Sequence, residues 1–538
     1  MRLTVKNLLL CGLLMGFFVP LSIGQTTFPQ NGVYDERDGL YAFTNATIQK
    51  SWNEKIENAT LLIRNGRIEA IGTGIAVPKD AVVFDLKGRF IYPSFIDPFS
   101  NYGMPEAAPN TQRSRGESQQ PLSNKRGAYS WNEAMKTEFR AGETFVTNEK
   151  DAEILRGAGF GAVLTHRFDG VSRGSGAVVL ATNDREHTAI LKPVAAHIMS
   201  FSKGTSTQPY PQSLMGGIAL LRQTYLDGSW YATTGVKEER NFSLEAWNSL
   251  QSVPQIFAVG DRLEALRAVK LGAEFNKKYI IKGAGDEYQR LDVLKATGSA
   301  FILPLAFPET YDVEDPIDAQ QVNLADLKHW ELAPTNPARL AAAGIEFSLT
   351  ANGLRAKSDF LKQVQKAIEA GLTEGDALKA MTATPAKMMG VEADLGSLDK
   401  GKIANFIVTS APVFQKDAKI FHNWVAGKGY VLSNDMDKAN LQGMYSFDLV
   451  GVKSYARMEI TDKNDVTIFV SDSIKFKADI KQDRNNIVMT FTPSGEKDLV
   501  RVFGTYDGGA FKGKAQMGDG SFADWQSATL NYSGKTSF

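Results

Sequence analysis

The stretch IYPSFIDPFSNYG, from Ile91 to Gly103, decides how the rest of the chain is organised. It is apolar up to Asp97 and then turns mixed, which is the character of a strand that enters a core. The residues before it are strand-like and short. ATLLIRNGRIEAIG alternates around Asn65-Gly66, a strong two-residue hairpin signal, because both central residues of such a turn must accept positive φ. VVFDLKGRFIYPSFID then predicts a second hairpin through Lys87-Gly88 that runs into the apolar strand ending at Asp97. A small β unit therefore feeds a buried strand.

Downstream, Asn101 to Lys150 is polar and aperiodic, with TQRSRGESQQPLSNKRG reading as a long loop or insertion. From Ala152 helical and apolar strand patterns alternate: AEILRGAG with GAVLT, PQIFAV with DRLEALRAVKLG, KYIIK with a helix around Tyr288 to Leu294 and then AFILPL, and ARLAAAG with IEFSLT. In the helix after PQIFAV, Leu263, Leu266 and Val269 mark the expected apolar face. This alternation over about three hundred residues predicts an α/β fold with a parallel sheet, most simply a TIM-like (β/α)8 barrel. Helices close the region. Ser358 to Gly371 carries Leu361, Val364 and Ile368 on one stripe, Thr373 caps the next helix, and Thr384-Pro385 opens another. GSLDKGKIANFIV returns to strand character, and after about Asn434 segments such as DVTIFV and NNIVMTF alternate with period two. The expected organisation is a leader at 1–24, the N-terminal part of a composite β domain at 25–93, a barrel at 94–390, returning strands at 391–434 and an all-β module at 435–538.

The chain has 538 residues, and its sixty Lys+Arg balance sixty Asp+Glu, so no net field steers it to nucleic acid or an anionic membrane. Residues 1–24 have the layout of a secretory signal: Arg2 and Lys6 lead an apolar run from Leu8 to Val19, with small residues Ser22 and Gly24 before Gln25. The run is interrupted by Gly12, Gly16 and Pro20 and is too short to span a bilayer. Export to the periplasm or medium is expected, with cleavage near Gly24 and Gln25. Cys11 is the only cysteine and would leave with the leader, so no disulfide, cysteine nucleophile or cysteine metal ligand is expected in the mature chain. No later segment has the apolar length of a membrane span.

Three blocks resemble the imidazolonepropionase-like branch of the amidohydrolase superfamily: RNGRIEAIG with DLKGRFIYPSFID; HWELAPTNPARLAAAGIEFSLTANG; and ALKAMTATPAKMMG with LGSLDKGKIANFIV. Together they cover roughly residues 35 to 430, in the family's order. The resemblance implies an amidohydrolase barrel that would use zinc or another divalent metal to hydrolyse non-peptide carbon–nitrogen bonds. It also implies where the ligands belong, and none is present. The His-x-His pair falls on Phe99 and Asn101, a third histidine on Ala258, a fourth on Gly283, and the metal-binding aspartate on Asn352. Phenyl, methyl and hydrogen side chains donate nothing to a metal, and amides bind such ions poorly. The cofactor expectation is therefore none, and the pocket expectation is a degenerate site around these five positions.

Few residues are placed to rebuild a reaction. His166 follows the strand GAVLT and could stand at the C-terminal rim of the barrel, with Asp169 three residues on as a partner in an acid–base pair. A loop histidine with a local hydrogen bond is the simpler reading. Lys282 could line the pocket or lie at the rim in water. His329 is expected to pack beside Trp330, His187 and His197 carry no ligand spacing, and His422 belongs to the returning β unit. The acidic stretch with Glu309, Asp312, Glu314, Asp315 and Asp318 lacks the glycine and terminal glutamate of a calcium loop and reads as solvated. SRGSGAVVL has glycines but no strand-to-helix arrangement for phosphate.

Three functions follow as expectations. The first is a metal-dependent hydrolase, which rests on fold resemblance alone. The second is a metal-free barrel acting as a binding or assembly partner, either of an active amidohydrolase from which this chain is split or truncated or in a homo-oligomer. The third is a ligand-binding protein, in which Phe99 with the amides of Asn101 and Asn352 would suit a neutral organic ligand better than an anion.

Overall fold

The computed structural model describes residues 39–107, 123, 125–235, 238–433, 441–451, 453–461, 464–471, 473–483, 486–493, 498–507 and 509–530. The leader with Cys11, most of the polar stretch 111–127 and the last eight residues lie outside them.

The chain opens with β1 (Tyr41–Ser51), β2 (Glu54–Arg64), β3 (Arg67–Gly72), β4 (Val82–Asp85) and β5 (Phe90–Pro93). Asn65 and Gly66 take φ of 49° and 76° and join β2 to β3 as the sequence predicts. The Lys87-Gly88 hairpin does not form. β4 and β5 both run parallel to β1, pairing Tyr41–Thr44 and Thr47–Ile48 in turn, so the turn only steps the chain along one edge. Leu86 and Ile91 are thereby buried on the same sheet, together with Phe43, whose ring meets Phe406 and Trp424 edge-on at 5.0 and 4.9 Å.

Pro93 ends β5, and β6 (Phe95–Ser100) begins two residues later in a different sheet, so the stretch that opens the reading spans two layers. β7 (Phe160–Thr165), β8 (Ser172–Leu180), β9 (Ile190–Ser200), β10 (Gln255–Ala258), β11 (Tyr279–Lys282), β12 (Phe301–Pro304) and β13 (Phe347–Thr350) follow in spatial order. The ring is drawn together where Thr350 Oγ1 donates to the buried Asp97 carboxylate at 2.5 Å, joining β13 to β6. Seven of the strands run one way, but β8 is antiparallel to both β7 and β9, which departs from a uniform (β/α)8 barrel. The cause is loop length. His166 to Val171 is too short for a crossover helix, which needs a dozen residues or more, so the glycine-rich SRGSGAVVL can only fold back.

The flanking helices bury small residues. In Arg262–Glu274 the inward side chains are Ala265, Ala268 and Leu271, while Leu263 of the expected face is exposed. Close seating of a helix on four-residue strands favours alanine at the contact over leucine. Phe360–Glu369 buries Phe360, Val364 and Ala367, with Leu361 and Ile368 packed at the edge of the core. The Thr373 side chain accepts from the Asp376 N–H, the cap the sequence predicts.

β14 (Phe406–Thr409), β15 (Ile420–Val425) and β16 (Lys428–Val431) return to the first sheet, giving the order β16-β15-β14-β5-β1-β2-β3 with β4 on β1. The last eight strands, from β17 (Gly443–Leu449) to β24 (Phe522–Ala528), form a closed antiparallel barrel in which each strand pairs with the next and β24 with β17. Its interior is filled by Phe447, Met458, Phe491, Phe511 and Trp525. A Cβ at Gly504 would stand 2.8 Å from the Trp525 ring, so glycine there lets the indole lie flat against β22 (Val500–Asp507). No helix among the described residues is long and apolar enough to cross a membrane.

Candidate functional site

A cavity of about 550 Å³ opens at the C-terminal ends of the parallel strands. Four of the parallel strands deliver one residue each, since successive side chains alternate faces: Phe99 from β6, Ser200 from β9, Ala258 from β10 and Lys282 from β11, with Asn352 just beyond β13. β8 runs the other way, so its beginning reaches the same mouth and contributes Arg173. Phe99 is buried against the floor, stacked on Phe168 at 5.2 Å and edge-on to His166 at 4.3 Å.

Two of the expected pocket positions lie elsewhere. Asn101 is exposed on the loop that follows β6 and is not part of the lining. Gly283 faces Glu287, whose Oε1 a Cβ at this position would meet at 2.0 Å, so no larger side chain fits there. The inward position of β11 is Lys282, one residue earlier. Lys282 thus stands inside the cavity, with Nζ 5.7 Å from the centre of the Phe99 ring.

The His166–Asp169 pair does not assemble. His166 is fully buried, and its Nδ1 lies 3.0 Å from the Arg167 carbonyl, which can only accept; Nδ1 therefore carries the proton and Nε2 holds a lone pair with no partner among the described residues. Burial, with the Arg173 charge beside it, pushes His166 down to about 3, so the ring is neutral. Asp169 is turned away and saturated. It pairs with Lys136 and with Arg167 at 3.2 Å, and it accepts from the Thr205 N–H at 2.7 Å. Burial alone would raise Asp169, but the Lys136 and Thr205 hydrogen bonds outweigh it and hold the carboxyl below the usual range. Asp169 ties three rim loops together.

His197 and His329 hold structural contacts. His197 on β9 donates from Nδ1 to Gln255 Oε1 at 3.0 Å and accepts from Ser172 Oγ at Nε2 at 2.9 Å, with both partners buried. His329 stacks on Tyr288 rather than on Trp330, with its Nδ1 3.1 Å from the phenol. The acidic stretch is exposed, and Asp315 caps the helix Pro316–Gln321 by accepting from the Ile317 N–H.

Residues 335–429 match the amidohydrolase family. The chain is similar to the crystal structure of an amidohydrolase from Thermotoga maritima MSB8, at 23% identity and a TM-score of 0.59, over 72% of this chain and 99% of that one. The first barrel shares the fold of that amidohydrolase. Molinate hydrolase and phenylurea hydrolase B superpose more loosely, each at 14% identity and a TM-score of 0.43 over 73% of this chain, and over 94% and 96% of their own. No curated protein matches the sequence.

The metal that such a barrel implies does not fit these residues. Where the resemblance would place ligands, the cavity is lined by a phenyl ring, a methyl group and an amide, from Phe99, Ala258 and Asn352, with the Lys282 ammonium beside Gly283. No group of three or more His, Cys, Asp or Glu able to hold a metal ion occurs among the described residues. The cavity is cationic besides, because Arg173, Lys203 and Lys282 line it against the single carboxylate of Glu264. That carboxylate accepts from the Gly260 N–H at 2.7 Å, at the start of the helix that Asp261 caps. The neutral lining expected from Phe99 and the two amides is thus corrected. Arg173 had no readable signal, since it lies in a glycine-rich stretch whose antiparallel course depends on tertiary pairing.

Proposed function

We propose that this amidohydrolase barrel binds a small organic molecule at its mouth without carrying out metal-dependent hydrolysis, and that it works as the binding partner of an active amidohydrolase, outside the cytoplasm. One observation carries the proposal: the cavity keeps its place at the strand ends, while the inward residues of β6, β10, β11 and the β13 loop are Phe99, Ala258, Lys282 and Asn352. A cation needs imidazole or carboxylate donors there, and an ammonium and a guanidinium repel it. The leader pattern of residues 1–24 supports export.

The test is metal analysis of the purified mature chain, combined with an assay of cyclic amides for ring opening. Expected are substoichiometric zinc and no turnover, in the native chain and with zinc added. Stoichiometric zinc with turnover would overturn the proposal. Co-purification of a metal-bearing amidohydrolase from the native host is expected, and a solitary monomer there counts against the partner role.

A further inference from the structure

Two cations at the base of the cavity have no counter-ion. Lys282 makes no hydrogen bond or ion pair among the described residues, and its only ring contact is with Phe99 at 5.7 Å. Arg173 makes one long hydrogen bond, from Nε to the Gly170 carbonyl at 3.4 Å, and lies 5.9 Å from the Phe168 ring; its terminal nitrogens have no partner among the described residues. The carboxylates within electrostatic reach are already engaged. Glu287, the one that acts on Lys282, is buried and accepts from Ala284 N, Gly285 N and Asn336 Nδ2 at 2.8, 3.2 and 2.6 Å. Asp169, the one that acts on Arg173, is held by Lys136, Arg167 and Thr205. Lys203, the third cation, donates to the Gln208 carbonyl at 2.9 Å.

Leaving two like charges part-buried and unpaired is costly, and a fold retains such an arrangement where something supplies the opposite charge. Between them lie the stacked rings of Phe99 and Phe168, 5.2 Å apart, an apolar wall for the body of a ligand whose charged end meets the cations. Ser200, Ser202 and Gln212 add neutral polar groups around the same space.

Resting on the binding reading above, we propose that the occupant is an organic anion, with a carboxylate or phosphate held by Lys282 and Arg173 and an apolar body on Phe99 and Phe168. Burial lowers Lys282 against the opposing Glu287 charge, with Arg173 adding to the burial, and burial lowers Arg173 to about 10 against the opposing Asp169 charge. A guanidinium offers a fork that fits both anionic groups.

Calorimetry on the mature chain with benzoate, phenyl phosphate, inorganic phosphate and the neutral isostere benzamide tests this. Expected is binding of benzoate and phenyl phosphate, with benzamide and inorganic phosphate weaker by about tenfold or more, the value of one charge-assisted hydrogen bond or of the lost apolar contact. Lys282→Met and Arg173→Met should each weaken benzoate by about tenfold, and raised salt should weaken the native complex. Because removing an unpaired cation does not endanger folding, Lys282→Met should melt no lower than the native chain, and benzoate should raise the melting temperature of the native chain alone. Benzamide binding as tightly as benzoate, benzoate binding unchanged in both variants, or no binding of either aromatic anion at millimolar concentration would each overturn the anion site. Zinc-dependent turnover alongside intact anion binding would instead remove the binding reading and leave the anion site standing.

Discussion

The chain carries two eight-stranded barrels that solve closure in opposite ways. In the first, parallel strands as short as four residues are joined by long crossovers, and the loops of those crossovers rim one end, where about 550 Å³ stays open. In the second, every strand from β17 to β24 hydrogen-bonds to its sequence neighbour through a short turn, and aromatic side chains consume the interior. Parallel connection collects loops at one face and leaves room for a site there, whereas a small meander fills its own lumen. The first barrel therefore keeps a pocket at its mouth; the second fills its interior with side chains.

The largest test of that contrast is Trp525→Ala. The indole is 1% exposed and packs on Phe447 and Phe511 at 5.7 and 5.4 Å. Removing it should cost about 3–5 kcal/mol and unfold the second barrel at lower denaturant, read by chemical denaturation with tryptophan-independent circular dichroism. A cost under about 1 kcal/mol would mean the interior is loosely filled and would break the comparison.

The second test is acid. His166 and His197 fall to about 3 and 4 on burial, so the unfolded chain takes up two protons that the fold refuses as pH drops from 6.5. Asp97 is raised to about 6 by burial against the opposing Thr350 hydrogen bond, so it is protonated first in the fold and offsets one of them between about 6 and 3.8. Glu287, also raised by burial, offsets in the same sense lower down. The balance of one proton in the upper part of this window predicts that stability declines by about 1.4 kcal/mol per pH unit below pH 6. Asp97→Asn removes the offset and should steepen the decline; an unchanged slope would show that Asp97 does not titrate in this range.

Much of the frame was legible from sequence because it depends on local chemistry. Asn65-Gly66 requires positive φ, Thr373 requires an N–H to cap, and alternating helix and strand require a layered α/β fold. The site was less legible because it depends on register and on which strands meet. A slip of one residue exchanges Gly283 for Lys282, and on four-residue strands no pattern is long enough to fix the register. In the sequence SRGSGAVVL is weighed only as a phosphate loop; its place between β7 and β9 makes it the buried strand β8, which brings Arg173 to the mouth. His166, read as following the strand GAVLT, is a buried histidine with a local hydrogen bond to the Arg167 carbonyl; its partner was chosen by spacing, and Asp169 turns to the loops instead.

The first barrel is joined at β13 and β6 through the Thr350 hydroxyl, where the second is joined by backbone pairing of β17 with β24. Thr350→Val deletes the hydroxyl that donates to Asp97 and leaves that carboxylate to the backbone N–H groups of Phe99, at 3.1 Å, and of Ala351. The expected cost is about 1–3 kcal/mol, the penalty for leaving a buried acceptor short of a donor. Hydrogen exchange should show faster opening of β6 and β13 with β17–β24 unchanged. Equal loosening of both regions would show that the bond at Thr350 is not where the first barrel is held shut.

The smallest effect belongs to the mouth itself. Phe168 stacks on Phe99 but is 37% exposed, so Phe168→Ala gives up only part of a phenylalanine's burial and should cost about 1 kcal/mol, well below the Trp525 substitution. The informative readout is not its melting temperature but what it does to the cavity. Removing this ring opens the path to His166, whose Nε2 is otherwise sealed beneath the two phenyl groups without a partner. Water that reaches Nε2 relieves the burial that holds the imidazole near 3, so the His166 titration followed by NMR should move up toward its ordinary value while His197, packed against Trp247 far inside β9, stays low. If both histidines stay low, the lining of the first barrel is sealed below the rings by something other than Phe168, and the distinction between an open mouth and a filled interior must be drawn deeper in the barrel.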